Sequence, residues 1–459
     1  CRWFAVQSIL MMKEYSASGF LEQYLQQFEA WKRSFGEWDT DPTLIPDSER
    51  VNQVFDELIQ RLQGNYPFHH PVYAGQMLKP PHPAAWAAYS IAMTINPNNH
   101  ALDGGPPSSA MEKEVINELA NFFGYGDTYL GHLTASGTIA NLEALWVARQ
   151  NHPEKGIAFS EHAHYTHERM GSVLGMHTQS LSVDQAGMPE LEQIDPEKTG
   201  TLVVTLGTTG LGDVEPLHEI LPFAKEMGLR IHVDMAYGGF FHCIRSSGLI
   251  DPQPWNVLSE ADSMVIDPHK HGLQPYGCGS VLFKDPGVGR FYLHDSPYTY
   301  YTSDELHLGE ISLECSRAGA AAVAFWTTLQ LFPLQHKAGF GPVMKQCRFA
   351  AMHMYDLLNE SEKLHPLKEP ELDIIAYFPG IEGKNVSEIS AASHRLFEDG
   401  MRNHDFFISL FQLPAEKFLS MHPGYTKDEE TVTILRSVLM KPEHSTFVEE
   451  LVKRMEKYL

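Results

Sequence analysis

The chain has 459 residues, 43% of them apolar and 20% charged, with a formal net charge of -24. That length carries a large buried core and a second, smaller domain, and the acidic total argues against nonspecific binding to nucleic acid or anionic membrane, both of which need a basic face. Five scattered cysteines (Cys1, Cys243, Cys278, Cys315, Cys347) include no CxxC pair, which speaks against a disulfide framework or thiolate zinc site and makes a reducing cytoplasm the expected location.

No apolar run approaches the ~20 residues that span a bilayer. The stretch Phe4 to Met12 is apolar but short, and no small-residue cleavage site follows it. The chain opens on Cys1, so the natural start is expected upstream, or at Met11 or Met12. Residues 17–63 carry apolar positions at helical spacing (Phe20, Leu21, Tyr24, Leu25, Phe28, then Val51, Val54, Phe55, Leu58, Ile59, Leu62), read as two helices around a polar loop from Trp38 to Asp47. They form an N-terminal arm, packed on the body or on a partner subunit. From Tyr66 to Pro107 prolines, histidines and aromatics alternate, as in a rigid loop that lines something.

A helix is predicted over Ala110 to Phe123. Small and hydroxyl residues of Gly131 to Asn141 then open a helix that runs to Gln150. Free N–H groups and the positive dipole end make such a start a phosphate site, or Thr134 or Ser136 simply caps it. Gly156–Ser160 reads as a buried strand leading into His162, His164 and His167. Three neighbouring histidines invite a zinc reading, but no further ligand stands at a recognisable spacing, and no metal is expected. The β-branched run Thr201–Leu206 ends in the turn Gly207-Thr208-Thr209-Gly210. After a helix to Met227, the strand Leu229–Asp234 ends on an acid, where α/β sheets place functional groups; a loop or capping carboxylate is the plainer alternative. Val265 and Ile266 continue as an apolar strand into a loop presenting Lys270, and Gly279–Lys284 returns from it. Alternating strands and helices from about 130 to 285 predict an α/β fold with a mainly parallel sheet covered by helices. A polar, aromatic segment (Asp295 to Glu314) carries Tyr298, Tyr300 and Tyr301. A linking helix, Ala318 to Leu331, stops before Pro333. Helix 342–359, strands at Ile374–Phe378 and Val432–Leu439, and helix 444–457 read as a small α+β domain. The expected division is an N-terminal arm and pocket loop (1–105), a large cofactor domain (106–335) and a small C-terminal domain (336–459).

Asp267-Pro268-His269-Lys270 resembles the cofactor-lysine motif of the pyridoxal-phosphate-dependent amino acid decarboxylases, the group with the glutamate, aromatic amino acid, histidine and tyrosine enzymes. Ser136-Gly137-Thr138 resembles the family's phosphate loop, and His164-Tyr165-Thr166 its His-Tyr-Ser/Thr pattern. Gly207-Thr208-Thr209 resembles its Gly-Thr-Thr turn, and Asp234-Met235-Ala236-Tyr237-Gly238-Gly239 its acid motif. These stand in the family's order, and the likeness runs from about residue 65 to 442. The basic residue that often follows the family's histidine motif is displaced here, in His167-Glu168-Arg169. Glu314 to Arg317 looks like the family's arginine-containing turn, and Thr433 to Pro442 like its Leu-Arg strand.

The resemblance implies the fold-type I pyridoxal phosphate architecture, a small α+β C-terminal domain, and a homodimer with active sites at the subunit interface. It implies that Lys270 holds the cofactor aldehyde, as a still and partly desolvated amine can. It implies contacts to the cofactor from Ser136, Gly137, Thr138, Thr208 and His269, with His164 stacked on the ring and Ala236 beneath it. Asp234 keeps the ring nitrogen protonated. A loop tyrosine, Tyr301 in preference to Tyr298 or Tyr300, or else His164, returns a proton after carbon dioxide leaves. Arg436 grips the substrate carboxylate through two hydrogen bonds, unless it is an exposed strand charge. The expected reaction is decarboxylation of an L-amino acid to its amine. The cluster Tyr66, Phe68, His69, His70 and Tyr73 points to an aromatic substrate, with His70 and Tyr73 as its contacts, although these rings could equally pack on each other. Lys79 would instead suit glutamate or aspartate. A carbon–carbon lyase of the sphingosine-phosphate lyase type is the alternative, but it would need an additional basic phosphate site for its substrate, for which this sequence offers no clear candidate. Intact Lys270, Asp234 and His164 count against a non-catalytic binding module.

Overall fold

The structure, a computed structural model, describes residues 17–184, 187–293, 306–381 and 385–459. Its large sheet has seven strands: β1 (Leu130–Thr134), β2 (Gly156–Ser160), β3 (Thr178–Leu181), β4 (Thr199–Thr205), β5 (Arg230–Asp234), β6 (Ser263–Ile266) and β7 (Gly279–Phe283). They lie in the order β1-β7-β6-β5-β4-β2-β3. Pairing is parallel from β3 through β6, while β7 runs antiparallel to both β6 and β1. The expected mainly parallel sheet is therefore present, with β7 as the reversed strand because it returns directly from the lysine loop. Every residue of β2, β4, β6 and β7 is buried, which is why these runs read as continuous rather than alternating apolar sequence.

Two helices form the N-terminal arm, α1 (Ala17–Arg33) and α2 (Ser48–Leu62), and α3 (Pro83–Met93) follows. Asp47 caps α2 by accepting the Arg50 N–H at 2.8 Å. Helix α4 (Pro106–Phe123) begins four residues ahead of the expected Ala110, because proline at a helix start has no N–H to lose. It stops at Gly124, whose φ of 89° suits a residue without Cβ. The large sheet is covered further by α5 (Gly137–Asn151), α6 (Thr166–Leu174) and α7 (Leu217–Glu226). Helix α8 (Gly319–Leu331) then links to α9 (Phe340–Glu360) and a second sheet.

That sheet comprises β8 (Leu364–Pro366), β9 (Ile374–Pro379), β10 (Ser409–Pro414) and β11 (Thr431–Val438), antiparallel throughout in the order β10-β11-β9-β8. It packs with α10 (Val386–Arg402), α11 (Ala415–Met421) and α12 (His444–Glu456). The sequence pattern signalled β9, β11, α9 and α12 but not the segment from α10 to α11. Strand β10 is the reason: it is a half-exposed edge strand that ends on a proline, so neither burial nor alternation marks it. No helix among the described residues is long and apolar enough to cross a membrane.

Candidate active site

Strands β4, β5 and β6 are parallel, and β1 runs with them because each of β1 and β6 is antiparallel to β7. The segments following β1, β2, β4, β5 and β6 therefore gather at one edge of the sheet, where an open α/β sheet leaves a crevice. They enclose a cavity of about 260 Å³ lined by Ser136, Gly137, Thr138, His164, Asp234, Ala236, His269 and Lys270, among others.

The acid of this cavity is held from three sides. Asp234 Oδ2 accepts from His167 Nε2 at 2.9 Å and from Asn141 Nδ2 at 3.3 Å, and its Oδ1 accepts from Ala236 N at 3.1 Å. Burial opposes its charge, but the hydrogen bond and charge of His167, with the nearby Lys270, outweigh it and hold the carboxyl well below the usual range. Behind it, His232 Nε2 lies 2.8 Å from Asn141 Oδ1 and its Nδ1 2.9 Å from Ser263 Oγ. Burial pushes the His232 pKa down to about 3, so the ring is neutral. A neutral ring must then donate from Nε2 and accept at Nδ1, giving a chain Ser263–His232–Asn141–Asp234 with one direction.

Lys270 Nζ lies 3.3 Å from Asp267 Oδ2. Its loop is fixed by several contacts: His269 Nδ1 donates to Cys278 O at 2.8 Å, and Gln274 Nε2 donates to Gly272 O at 3.0 Å and Thr328 Oγ1 at 2.8 Å. Leu273 sits at φ 63°, a left-handed conformation that a leucine adopts only when its surroundings enforce it. His164, half-buried, accepts the Thr166 N–H at Nδ1 (3.2 Å), which leaves Nε2 as its proton-bearing atom; burial lowers its pKa. Ser136 caps α5 through the Ile139 N–H at 3.4 Å, so the Gly137 and Thr138 N–H groups precede the first intrahelical bond. A Cβ on Gly137 would come within 2.4 Å of Asp267 Oδ2, so glycine permits the helix start to lie against the lysine loop.

Ser136, Gly137, Thr138, His164, Asp234, Ala236, His269 and Lys270 thus line one cavity. Other expected site residues do not. Thr208 is buried and lines the adjoining cavity: its Oγ1 accepts the Asp213 N–H at 3.0 Å to close the turn, while Gly207 and Thr209 line this one. Tyr73 is buried among Phe68, Tyr66 and Phe407, with ring centroids 4.8, 6.3 and 6.4 Å away. His70 is exposed, with its edge to Phe447 at 5.4 Å. The aromatic cluster packs on itself, and neither His70 nor Tyr73 reaches the cavity. Lys79 is buried and donates to Met440 O at 3.1 Å. Arg436 is also buried, not an exposed strand charge. Its Nε and Nη2 donate to Gly210 O and Thr209 O, both at 2.7 Å, and its Nη1 to Gly75 O and Ser409 Oγ, both at 3.3 Å. A guanidinium so engaged does not offer the free two-bond fork expected for a carboxylate. Tyr298, Tyr300 and Tyr301 lie outside the described residues.

Sequence alone gave no site role to Asn141 or Asp373, and it marked His167 only as one of three neighbouring histidines. Asp373, fully buried at the start of β9, accepts from Tyr237 OH at 2.6 Å and faces His271 Nε2 at 3.2 Å. It thereby joins the turn after Asp234 to the residue after Lys270. Glu215 is a fourth such group. It accepts from Ser160 Oγ and, at 2.7 Å, from Thr205 N, and burial pushes its pKa up to about 7. An acid raised from its ordinary 4.5 to about 7 favours the fold only while protonated, so up to about 3 kcal/mol of stability is lost as pH rises through that window. Urea unfolding of Glu215→Gln from pH 4.5 to 7 is expected to lack this decline; an unchanged slope would reject the assignment.

Residues 40–378 match the family described as the pyridoxal-dependent decarboxylase conserved domain. The chain belongs to the pyridoxal-dependent decarboxylase family. It is 25% identical to the L-tyrosine decarboxylase of Enterococcus faecium, over 91% of this chain and 90% of that one. It is 27% identical to a probable L-tyrosine/L-aspartate decarboxylase of Methanothrix thermoacetophila, over 64% and 74%. The structure of mouse CSAD superposes with a TM-score of 0.77 at 19% identity, covering 99% and 98% of the two chains, which establishes a shared fold. The decarboxylase thus has the fold-type I architecture, acts on an amino acid and uses pyridoxal 5'-phosphate. The cavity fits that group: a helix start with unengaged N–H groups for a phosphate, a buried carboxylate held ionised for a ring nitrogen, and one amine within the same walls.

Proposed function

We propose that this decarboxylase converts an aromatic L-amino acid to its amine and carbon dioxide, with Lys270, Asp234 and His164 as its working groups. The observation that carries the roles is the meeting of Asp234 and Lys270 in one cavity from strands β5 and β6. When bound, pyridoxal phosphate supplies an aldehyde for amines and a protonated ring that withdraws electrons from the bonds of the substrate α-carbon.

The chain's own residues then divide the work. Gly137 and Thr138 N–H, the Ser136 and Thr138 hydroxyls and His269 bind the phosphate. Asp234, held ionised by His167 and Asn141, keeps a proton on the ring nitrogen. Ala236 offers a small surface below the ring and His164 a flat one across it. Lys270 holds the cofactor between turnovers and releases product. His164, through Nε2, or Tyr301 returns the proton to the α-carbon. Arg436 orders the Thr209–Gly210 turn and Ser409 at the substrate side of the cavity.

Support for an aromatic side chain comes from a second cavity, of about 650 Å³, which shares His164, Tyr165 and Thr209 with the first and is walled by Leu211, Leu410, Phe411 and Leu413. The Enterococcus relative's name points the same way. The test supplies the purified protein, with pyridoxal phosphate, each common L-amino acid in turn and detects amine by mass spectrometry. Amine from aromatic substrates supports the reading; amine from glutamate or aspartate alone rejects it.

We also infer a cytoplasmic homodimer. Helix α2 buries none of its residues, and Val54, Phe55, Leu58, Ile59 and Leu62 expose 42–60% of their surface along it. A stripe of that size seeks cover. Sedimentation is expected to show a dimer for the native chain and a monomer for Phe55→Asp/Leu58→Asp. A dimeric double variant would exclude α2 from the interface.

A further inference from the structure

We propose that Lys417 and His162 form a subsite that donates a hydrogen bond to an oxygen on the substrate's aromatic ring, an inference that rests on the aromatic reading above. The second cavity opens directly beside the cofactor cavity, and its outer wall comes from β10 and α11 of the small sheet. Its apolar residues give a ring a surface to lie on. Phe411 lies close against the Thr209–Gly210 turn, where a Cβ on Gly210 would come within 3.0 Å of its ring.

The polar end of this cavity is built from two distant segments. Lys417, on α11, places Nζ 2.6 Å from His162 Nε2, in the segment after β2 that also carries His164. An ammonium has only donors, so the His162 nitrogen accepts and is unprotonated. One N–H of Lys417 is used in this way, and among the described residues no other acceptor lies within hydrogen-bond distance of the remaining two. The lysine is anchored at His162, and it lines the cavity with two N–H groups left to donate.

The surrounding charges select among ligands. Glu161 and Asp213 line the same cavity, and Lys368 pairs with Asp213 at 2.6 Å. Asp213 is answered by Lys368, and Arg436 lines the cavity as well, but Glu161 already acts on the Lys417 ammonium. A carboxylate arriving there would compete with Glu161, whereas a neutral hydroxyl accepts without that repulsion. A short aliphatic acid would also leave the wall of Leu410, Phe411 and Leu413 uncovered. The ligand class is therefore a hydroxyl-bearing aromatic amino acid. Sites that hydrogen-bond a substrate hydroxyl discriminate against the analogue lacking it, because the donor is otherwise left unpaired.

The experiment compares kcat/KM for L-tyrosine, L-phenylalanine and L-aspartate in the native holoenzyme, K417M and K417R. The native enzyme is expected to prefer L-tyrosine over L-phenylalanine by about tenfold or more. K417M should collapse that ratio, chiefly by raising KM for L-tyrosine, and K417R, which keeps a donor, should preserve most of it. Should K417M fail to bind pyridoxal phosphate, K417L, which likewise carries no donor, provides the same comparison. A native enzyme that uses both aromatics equally, a ratio unchanged in K417M, or a preference for L-aspartate would overturn the subsite. Amine from no aromatic amino acid at all would instead overturn the aromatic reading beneath it.

Discussion

Lys270→Ala is expected to lose amine formation by roughly a hundred- to ten-thousandfold and to lose covalent attachment of the cofactor. Lys270 is the lysine that lines the cofactor cavity, and its Nζ lies 3.3 Å from Asp267 Oδ2. In the proposed reaction this lysine has two duties, holding the cofactor and moving a proton on product release, and alanine would remove both. Arginine should not rescue it, because a guanidinium stays protonated and is a poor nucleophile at working pH. Borohydride reduction of the native holoenzyme followed by peptide mass spectrometry should mark Lys270, and the variant should carry no mark. A mark on another lysine, with activity retained, would move the nucleophile elsewhere in the chain.

Asp234→Asn should reduce kcat by about a hundred- to a thousandfold with a smaller effect on KM. Asparagine has the size of aspartate and can still accept from Ala236 N, so the fold around it should persist. What it lacks is the negative charge that His167 and Lys270 stabilise in the native site. Without that charge a ring nitrogen has no anion to keep it protonated, and electron withdrawal from the substrate weakens. The cofactor's absorbance spectrum provides a second readout, because a deprotonated ring absorbs differently. Equal kcat for the variant and the native enzyme would remove Asp234 from the mechanism. His167→Ala should lower the rate less, since it acts through Asp234.

The large fold and the centre of the site were both legible in the sequence, for a common reason. Strands buried on every face read as unbroken apolar runs, and a charged residue at the end of such a run stands out. Asp234, after β5, and Lys270, after β6, were visible in this way. The groups that tune them were not. His167, conspicuous only as one of three neighbouring histidines, and Asn141 lie 67 and 93 residues from Asp234, a pairing that no local pattern shows. Asp373 joins Tyr237 and His271 across a chain separation of more than a hundred residues, which no local pattern records. The errors are equally physical. Composition counts the rings of Tyr66, Phe68 and Tyr73 but does not say that they face one another. A conspicuous threonine in a turn, Thr208, closed the turn with its own hydroxyl. Arg436 looked like a free grip until the carbonyls of the Thr209–Gly210 turn appeared beside it.

The outer wall of the second cavity belongs to β10 and α11, whereas the groups lining the first cavity follow strands of the large sheet. On the proposed reading, chemistry and part of the selectivity would then be written in different stretches of the gene. Codons 409–417 would be free to drift, or be exchanged between relatives, with the groups of the first cavity untouched, so that editing one short segment would alter the outer half of the substrate site. The constraint on such drift is local: Ser409 accepts from Arg436, whose other donors hold the turn at residues 209 and 210, so the first residue of the exchangeable segment is the one least free to change.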